Sequence, residues 1–545
     1  MKIYESSHKN DIFVPEVDAW DKLLGPASLR VPDDKVMLID AITGKTTTIG
    51  AARELALRLA DGMRSTAGLK TGDVICIFSP NSVLYPVVCM ASQAASVVPS
   101  LANSTSTPKE LLHQLKDSKV VLLFASSDII DTAKEAAKEA GLLADRVYAL
   151  PGGDGKIKQG TRSWEELISN KLWKHESIPK SKLKSTPAFI PYSSGTTGLA
   201  KGVVITHSNL IGVSAMLHEM PGWYDKSTIL LATLPMFHIF GLVVTFTHVI
   251  HEGGAVVVMP RFDLGIFLSS ISKYKCTVTC IVPPIALALA KHPMVEKADF
   301  STIKFIISGA APLSASIQDE AMKRIKAPIV IGFGMTETVS CSTVNLQEKN
   351  KLGSIGPLLP GQRARIVDDS GEDVPLGEQG ELWLHGPNIF FAYLNNPGAT
   401  HNSITSDGWF KTGDVAFVDD EGYFTIVDRS KELIKYKGSQ VAPAELEALL
   451  LQSELVADAA VIGVYTESEA TELPRAYVVL SPKGKEHKAA GKAIADYVVK
   501  HCAPHKRLRG GVYPIDVIPK SMSGKILRKD LRLMAAQEGK SQAKL

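Results

Sequence analysis

The chain has 545 residues, 45% of them hydrophobic and 21% charged, and 60 Lys and Arg against 57 Asp and Glu leave a net charge of +3. That length exceeds what one compact core holds, so two or more domains are expected. The near-neutral balance gives no electrostatic footprint for nucleic acid. Six scattered cysteines (Cys76, Cys89, Cys276, Cys280, Cys341 and Cys502) read as free thiols of a reducing compartment. Cys276 and Cys280 lie in a β-like run with no second Cys/His pair nearby, which favours core thiols over half a metal site. Met1 to Trp20 is polar and of mixed charge, without the apolar stretch of a signal peptide.

In chain order, Ala52, Leu55, Ala56, Leu59 and Met63 recur at helical spacing, and Val74 to Phe78 reads as a buried strand. Asn81 to Ala94 predicts a helix, Val97 to Pro99 an extended piece, Lys109 to Leu115 a helix, Val120 to Phe124 a strand and Ile129 to Ala140 a helix. Such alternation implies parallel sheets covered by helices. It resumes with strands at Ile229 to Thr233, Ala255 to Met259, Val278 to Val282 and Phe305 to Ile307. Helices are expected between them at Phe237 to Ile250, Leu264 to Lys273, Ile285 to Lys291 and Ser314 to Arg324. Between Lys226 and Glu252 there is no formal charge, but Pro235, His238, His248 and several threonines break the run, so a buried strand and helix are expected rather than a membrane span. From Gly353 to Asp428 short alternating strands predict an antiparallel, barrel-like region. The fold class is therefore α/β: a large N-terminal domain over 1–430 with two helix-covered sheets and a β-barrel-like subdomain. A small mobile α+β domain is expected over 431–545.

Five features carry chemistry. Tyr192-Ser193-Ser194-Gly195-Thr196-Thr197-Gly198-Leu199-Ala200-Lys201-Gly202 follows an apolar run and supplies hydroxyls, glycines and a cation, the parts of a phosphate cradle. It is not a Walker A loop. Gly334-Met335-Thr336-Glu337 sets a carboxylate after a glycine turn, where it can hold Mg²⁺ beside phosphates. Asp414, at the end of Trp409-Phe410-Lys411-Thr412-Gly413-Asp414, can accept both hydroxyls of a ribose, and Asp428-Arg429 adds a second ribose or phosphate contact. Ser521-Met522-Ser523-Gly524-Lys525 puts a lysine on a glycine turn near the end of the chain. Each alone reads as a solvated turn; their joint occurrence in this order does not.

On these motifs, and on Tyr436 to Glu447 (Tyr-Lys-Gly-Ser-Gln-Val-Ala-Pro-Ala-Glu-Leu-Glu), the chain resembles the adenylate-forming superfamily, and within it the 4-coumarate–CoA ligase- and firefly-luciferase-like group. The resemblance spans nearly the whole chain. It implies an acid–CoA ligase that uses ATP, Mg²⁺ and coenzyme A: a carboxylic acid becomes an acyl-AMP, then the thiol of coenzyme A displaces AMP. Carried over by motif, Ser193, Ser194, Gly195, Thr196, Thr197, Gly198 and Lys201 hold the β,γ-phosphates. Gly332, Phe333 and Thr336 bind nucleotide, Thr336 at the α-phosphate. Glu337 binds Mg²⁺, and Asp414 and Arg429 the ribose. Lys525 bridges the carboxylate and the α-phosphoryl group, where a cation lowers the repulsion between two anions. His238 stands beside the acyl carboxylate. The resemblance also implies a rotation of the C-terminal domain about Lys431, which withdraws Lys525 and brings Lys435 and Gln440 to the thioester step. Lys437, Gly438 and Arg261 are the implied coenzyme A contacts.

The acyl pocket implied by the resemblance is Phe240, Gly241, Gly309, Ala310, Gly332, Thr338 and Val339. Phe240 stands where many 4-coumarate ligases carry tyrosine, which removes a donor for a phenol. Ala200, Ile331 and Ser439 also depart from the usual proline, glutamine and aromatic residue. An apolar aryl or medium-chain acid is the expected substrate. Competing readings are a luciferase-like oxidase acting on an acyl-adenylate and a non-catalytic sensor of acids; the retained Glu337, Asp414, Arg429 and Lys525 argue against the sensor. Ala543-Lys544-Leu545 resembles the receptor-read peroxisomal address, so a peroxisomal import receptor is an expected partner, with a cytoplasmic location if the tripeptide is not read. A monomer or homodimer is expected.

Overall fold

The computed structural model describes residues 2–8, 10–25, 31–193, 199–437, 439–466, 471–522 and 524–542. Two eight-stranded sheets dominate it. In the first, Val98–Ala102, Val74–Phe78, Leu122–Ser126 and Val147–Leu150 run parallel, and Pro187–Ser193 joins them alongside Val98–Ala102. Lys201–Thr206 then folds back antiparallel onto Pro187–Ser193, setting Lys201 opposite Ser193. In the second sheet, Ile329–Phe333, Phe305–Ser308, Val278–Ile281, Ile229–Ala232 and Ala255–Val258 lie parallel in that spatial order. Parallel strands buried on both faces read as unbroken apolar runs. That is why Val74 to Phe78 was recognisable from composition, and its four residues from Ile75 to Phe78 are fully buried.

A five-stranded antiparallel sheet occupies the expected barrel-like region, in the order Tyr4–Glu5, Arg363–Val367, Gly380–His385, Phe410–Val418, Phe424–Arg429. Phe410–Val418 alternates buried and half-buried residues along its whole length, the pattern of a strand with one face on the core. One continuous hydrophobic core joins this sheet to the two larger ones through Ile366, Leu382, Phe410 and Phe424.

The C-terminal domain has cores of its own, one around Ile434, Leu446, Val461, Val478 and Ile494 and another around Tyr477, Ile518 and Leu531. Val456–Thr466 and Thr471–Leu480 pair antiparallel, and Val512–Pro514 adds a parallel third strand. The buried pair Arg528–Glu447 (2.7 and 2.9 Å) fixes the start of the last helix, Arg528–Gln542, and so holds the preceding turn that carries Lys525.

The helix expected over Phe237 to Ile250 runs from Ile239 to His251 and contains one wide π-type turn at Val243–Thr247. Thr245 Oγ1 donates to the Gly241 carbonyl at 2.5 Å inside this widened stretch, and such turns recur at functional sites. Among the described residues no helix is long and apolar enough to cross a membrane. Cys276 and Cys280 are fully buried, and burial pushes both thiols upward, away from the reactive thiolate.

Candidate active site

The site is built at strand ends. Ser193 ends its strand and donates from Oγ to Glu337 Oε1 at 3.1 Å, and Tyr393 OH donates to the same oxygen at 2.8 Å. Lys201, opposite Ser193, sets its ammonium 4.8 Å from the centre of the Tyr393 ring. Ser194, Gly195, Thr196, Thr197 and Gly198 lie outside the described residues. Glu337 is buried after the strand Ile329–Phe333, together with Thr336, while Gly332 and Phe333 are half-buried at the strand end. The turn between is tight: a Cβ on Gly334 would sit 1.8 Å from the Ser340 carbonyl oxygen, so only glycine fits. Val339 (φ 48°) and Ser340 (φ 91°) hold left-handed backbone there, and Ala310 (φ 68°) does so across the site. A β-branched residue in this region is strained, and strain of that kind gathers at functional sites.

Asp414 and Arg429 face each other across the antiparallel pair Phe410–Val418 and Phe424–Arg429, with Arg429 Nε 3.3 Å from Asp414 Oδ1. Asp414 Oδ2 is buried and has no hydrogen-bond partner among the described residues. A buried acceptor without a donor is rare in folded chains and marks a place for a ligand. Burial raises the Asp414 carboxyl to about 6, against the lowering influence of Arg429 and Lys525. Asp428 turns the other way and accepts the Ala444 amide at 3.0 Å, tying this strand to the C-terminal domain.

Lys525 reaches the site from the C-terminal domain on a short hairpin: Ser521 N donates to Lys525 O and Gly524 N to Ser521 O, both at 2.8 Å. Gly524 has φ +77°, and a Cβ there would lie 3.1 Å from Val282 Cβ and 3.2 Å from Pro284 Cδ. The glycine thus permits both the turn and its close approach to the end of the strand Val278–Ile281. Open α/β sheets collect ligands at such strand ends. Burial lowers the Lys525 ammonium to about 8, and Arg429 adds to this while Asp414 and Glu432 oppose it.

His238 caps the helix that begins at Ile239, its Nδ1 accepting the Phe240 amide at 3.3 Å. That leaves the ring proton on Nε2. Burial, then the Lys525 cation, lowers the imidazole to about 4, which keeps His238 neutral. A small cavity of about 30 Å³ opens beside it, walled by Phe240, Gly309, Ala310 and Gly332 and by Trp223, Val244, Ser340 and Cys341. Gly309 is pressed against the Phe240 ring, 2.9 Å from where its Cβ would be. Gly241, Thr338 and Val339 are buried and are not among the residues that line the cavity.

The remaining candidates stand elsewhere. Lys435 and Gln440 are opposite each other on a short hairpin and both are exposed. Lys437 lies between them in the chain with φ 45°, its amide donating to Thr471 Oγ1 at 2.8 Å. Lys431 and Arg261 are exposed too. Gly438 and Ala543-Lys544-Leu545 lie outside the described residues. Tyr393, Trp223 and Ser340 carried no signal in the sequence. Tyr393 reaches Glu337 because Ala392–Tyr393 pairs with Val203–Val204 from a distant part of the chain.

The family model described as AMP-binding enzyme matches residues 27–394, and the one described as AMP-binding enzyme C-terminal domain matches residues 445–525. The chain is 36% identical to the probable 4-coumarate–CoA ligase 2 of Dictyostelium discoideum over 97% of this chain and 98% of that one. It is also 36% identical to the peroxisomal OPC-8:0-CoA ligase 1 of Arabidopsis thaliana, over 93% and 92% of the two chains. Among solved structures, ATP-bound MatB from Rhodopseudomonas palustris is similar at a TM-score of 0.85 and 27% identity, covering 95% of this chain and 98% of its own. An end-to-end likeness in sequence and fold, over the strand ends that gather Glu337, Asp414 and Lys525, makes this chain a member of the AMP-binding enzyme family.

Proposed function

We propose that this acid–CoA ligase activates an apolar aryl or medium-chain carboxylic acid, with the residues assembled above as its adenylation site. The observation that carries the reading is that Lys525, from the C-terminal domain, comes within electrostatic reach of Asp414, whose buried Oδ2 has no hydrogen-bond partner among the described residues. Asp414 would hold the ribose hydroxyls and Arg429 would steady the carboxylate. Thr336 and the Ser193–Lys201 segment would take the phosphates. Lys525 would lie between the acid and the α-phosphoryl group, offsetting the charge that grows as the carboxylate oxygen attacks and pyrophosphate leaves. The His238 Nε2–H would orient the attacking carboxylate.

Among the described residues, the donors to Glu337 both engage Oε1, which fits Oε2 to Mg²⁺. The ion would supply charge neutralisation at the phosphates. For the second step we place the domain boundary at 430/431 and the hinge at Lys431. Lys525 is half-buried while Lys435 and Gln440 are exposed, as a site set for adenylation requires. Rotation would exchange them and present Lys437, Gly438 and Arg261 to coenzyme A.

The cavity wall is apolar at Phe240, Val244, Ile307 and Trp223, which suits an acid without a phenol. In a panel assayed for coenzyme-A-dependent AMP release, cinnamate, other unhydroxylated aryl acids and medium-chain acids are expected to turn over faster than 4-coumarate. Reaction of hydroxycinnamates alone would overturn this substrate assignment. We also place the enzyme in the peroxisome, on Ala543-Lys544-Leu545 together with the likeness to a peroxisomal relative. A fluorescent fusion ending in this tripeptide is expected in peroxisomes and one lacking it in the cytoplasm; identical distributions would refute the address.

A further inference from the structure

Behind the acyl cavity a line of stacked rings leads to a second cluster of ionisable groups. Trp223 stacks on Tyr224 with centroids 5.3 Å apart, and Tyr224 lies 5.3 Å from the His248 ring. His248, His251 and Glu252 follow the π-type turn at spacings of three and four residues, which puts them on one face of the helix end. His218, in the last turn of the helix His207–His218, faces them. Glu252 Oε1 lies 2.9 Å from His218 Nδ1, 2.9 Å from His251 Nδ1 and 4.0 Å from His248 Nδ1.

His248 is 1% exposed, and among the described residues neither ring nitrogen has a hydrogen-bond partner. Buried polar atoms are nearly always satisfied, so an imidazole with both nitrogens unpaired, one of them 4.0 Å from a carboxylate oxygen, calls for a partner. The other grouping of metal-binding residues, Asp18, Asp21 and His175, differs in this respect. There the His175 nitrogens lie 3.0 Å from the Ala94 carbonyl and 2.9 Å from Asp18, and Asp18 also accepts the Ile178 amide.

We propose that His248, His251 and Glu252 bind one divalent transition-metal ion of the zinc class, with His218 as the outer partner of the carboxylate. The three ligand atoms all lie within 4.8 Å of one another. A tetrahedral ion about 2.1 Å from each ligand sets them about 3.4 Å apart. The printed 2.9 and 4.0 Å bracket that spacing, so small side-chain rotations close the site. Two imidazoles and a carboxylate favour zinc, cobalt or nickel over magnesium or calcium. The site is separate from the Glu337 pole of the active site and stands whether or not the adenylation roles above are right.

The test is calorimetric titration of the full chain with Zn²⁺, after chelator treatment and dialysis, in excess Mg²⁺. Absorption with Co²⁺ in place of Zn²⁺ is read in parallel. One saturable equivalent and the visible bands of tetrahedral Co²⁺ are expected, unchanged in Glu337→Gln. His248→Phe keeps a ring against Tyr224 and removes the ligand; it and Glu252→Gln are each expected to weaken Zn²⁺ by about tenfold or more. Both should also lose the rise in Tm that Zn²⁺ gives the parent chain. Absence of a stoichiometric equivalent in the parent chain overturns the proposal, whatever the variants do. An equivalent of undiminished affinity in both variants overturns it as well.

Discussion

Lys525→Ala is expected to cut acid-dependent pyrophosphate release by at least about a hundredfold, while ATP still binds with affinity changed only a few-fold. Given the acyl-AMP directly, the variant is expected to pass the acyl group to coenzyme A at close to the parent rate. The split follows from geometry. The proposed phosphate and ribose contacts come from the N-terminal region, whereas Lys525 arrives on a hairpin of the C-terminal domain and would touch only the reacting end. The pH profile adds a second check. In the proposed role Lys525 acts as a cation, and with its ammonium lowered to about 8 its charge is present below that value and lost above it. Asp414, raised to about 6, would act as an anion whose charge is present above 6 and lost below. First-step kcat/KM for ATP is therefore expected to be bell-shaped, with limbs near 6 and 8 that belong to the interacting pair. In Lys525→Arg the basic limb moves out of range because a guanidinium does not titrate there. A first step that persists in Lys525→Ala would remove the lysine from the reaction.

Most of the fold was legible because periodicity reports burial. Val74–Phe78 was placed residue for residue, and the helix expected from Ile129 begins at Ile130. The helix expected from Asn81 begins only at Leu84, because Ser82 and Val83 are taken up by a turn in which Ser82 receives the Tyr85 amide. The π-type turn at Val243–Thr247 was not legible: one extra residue in a uniformly apolar helix leaves no compositional mark. At the site, residues inside contiguous motifs could be read, and residues brought in by tertiary pairing could not. Asp414 and Arg429 belong to motifs, but their opposition depends on the register of two strands. Tyr393 and Trp223 depend on contacts between distant segments, where an aromatic residue looks like any other core residue. The left-handed Val339 runs against its own local preference, and such conflicts gather where function requires them.

Asp414→Asn is expected to raise the unfolding midpoint of the nucleotide-free protein at pH 7.5 and to weaken ATP by about ten- to a hundredfold, the loss expected for a charge-assisted hydrogen bond to the ribose. The sign follows from linkage. The folded chain holds the Asp414 proton to about 6, against an ordinary value of 3.8, because burial outweighs the attraction of Arg429. The folded state therefore binds that proton more tightly than the unfolded chain does. Relative to acid, stability is lost as the pH rises from about 4 to 6 and stays lost above it. A shift of about two units corresponds to a destabilisation on the order of 3 kcal/mol at neutral pH. An amide of the same shape removes that charge but must satisfy its own NH₂ group, so a net gain of about 1 kcal/mol is expected. Arg429, with its side chain 32% exposed, can return to water when its partner is neutral. Denaturant unfolding at pH 5 and pH 7.5, with and without ATP, separates the effects: the variant should lose both the parent's decline over that interval and much of its stabilisation by ATP. Earlier unfolding of the variant without nucleotide would mean that Arg429 makes the carboxylate a net structural asset. If the midpoint rises, the chain keeps a buried charge where an amide would fold better, and only a ligand that needs both carboxylate oxygens accounts for its presence.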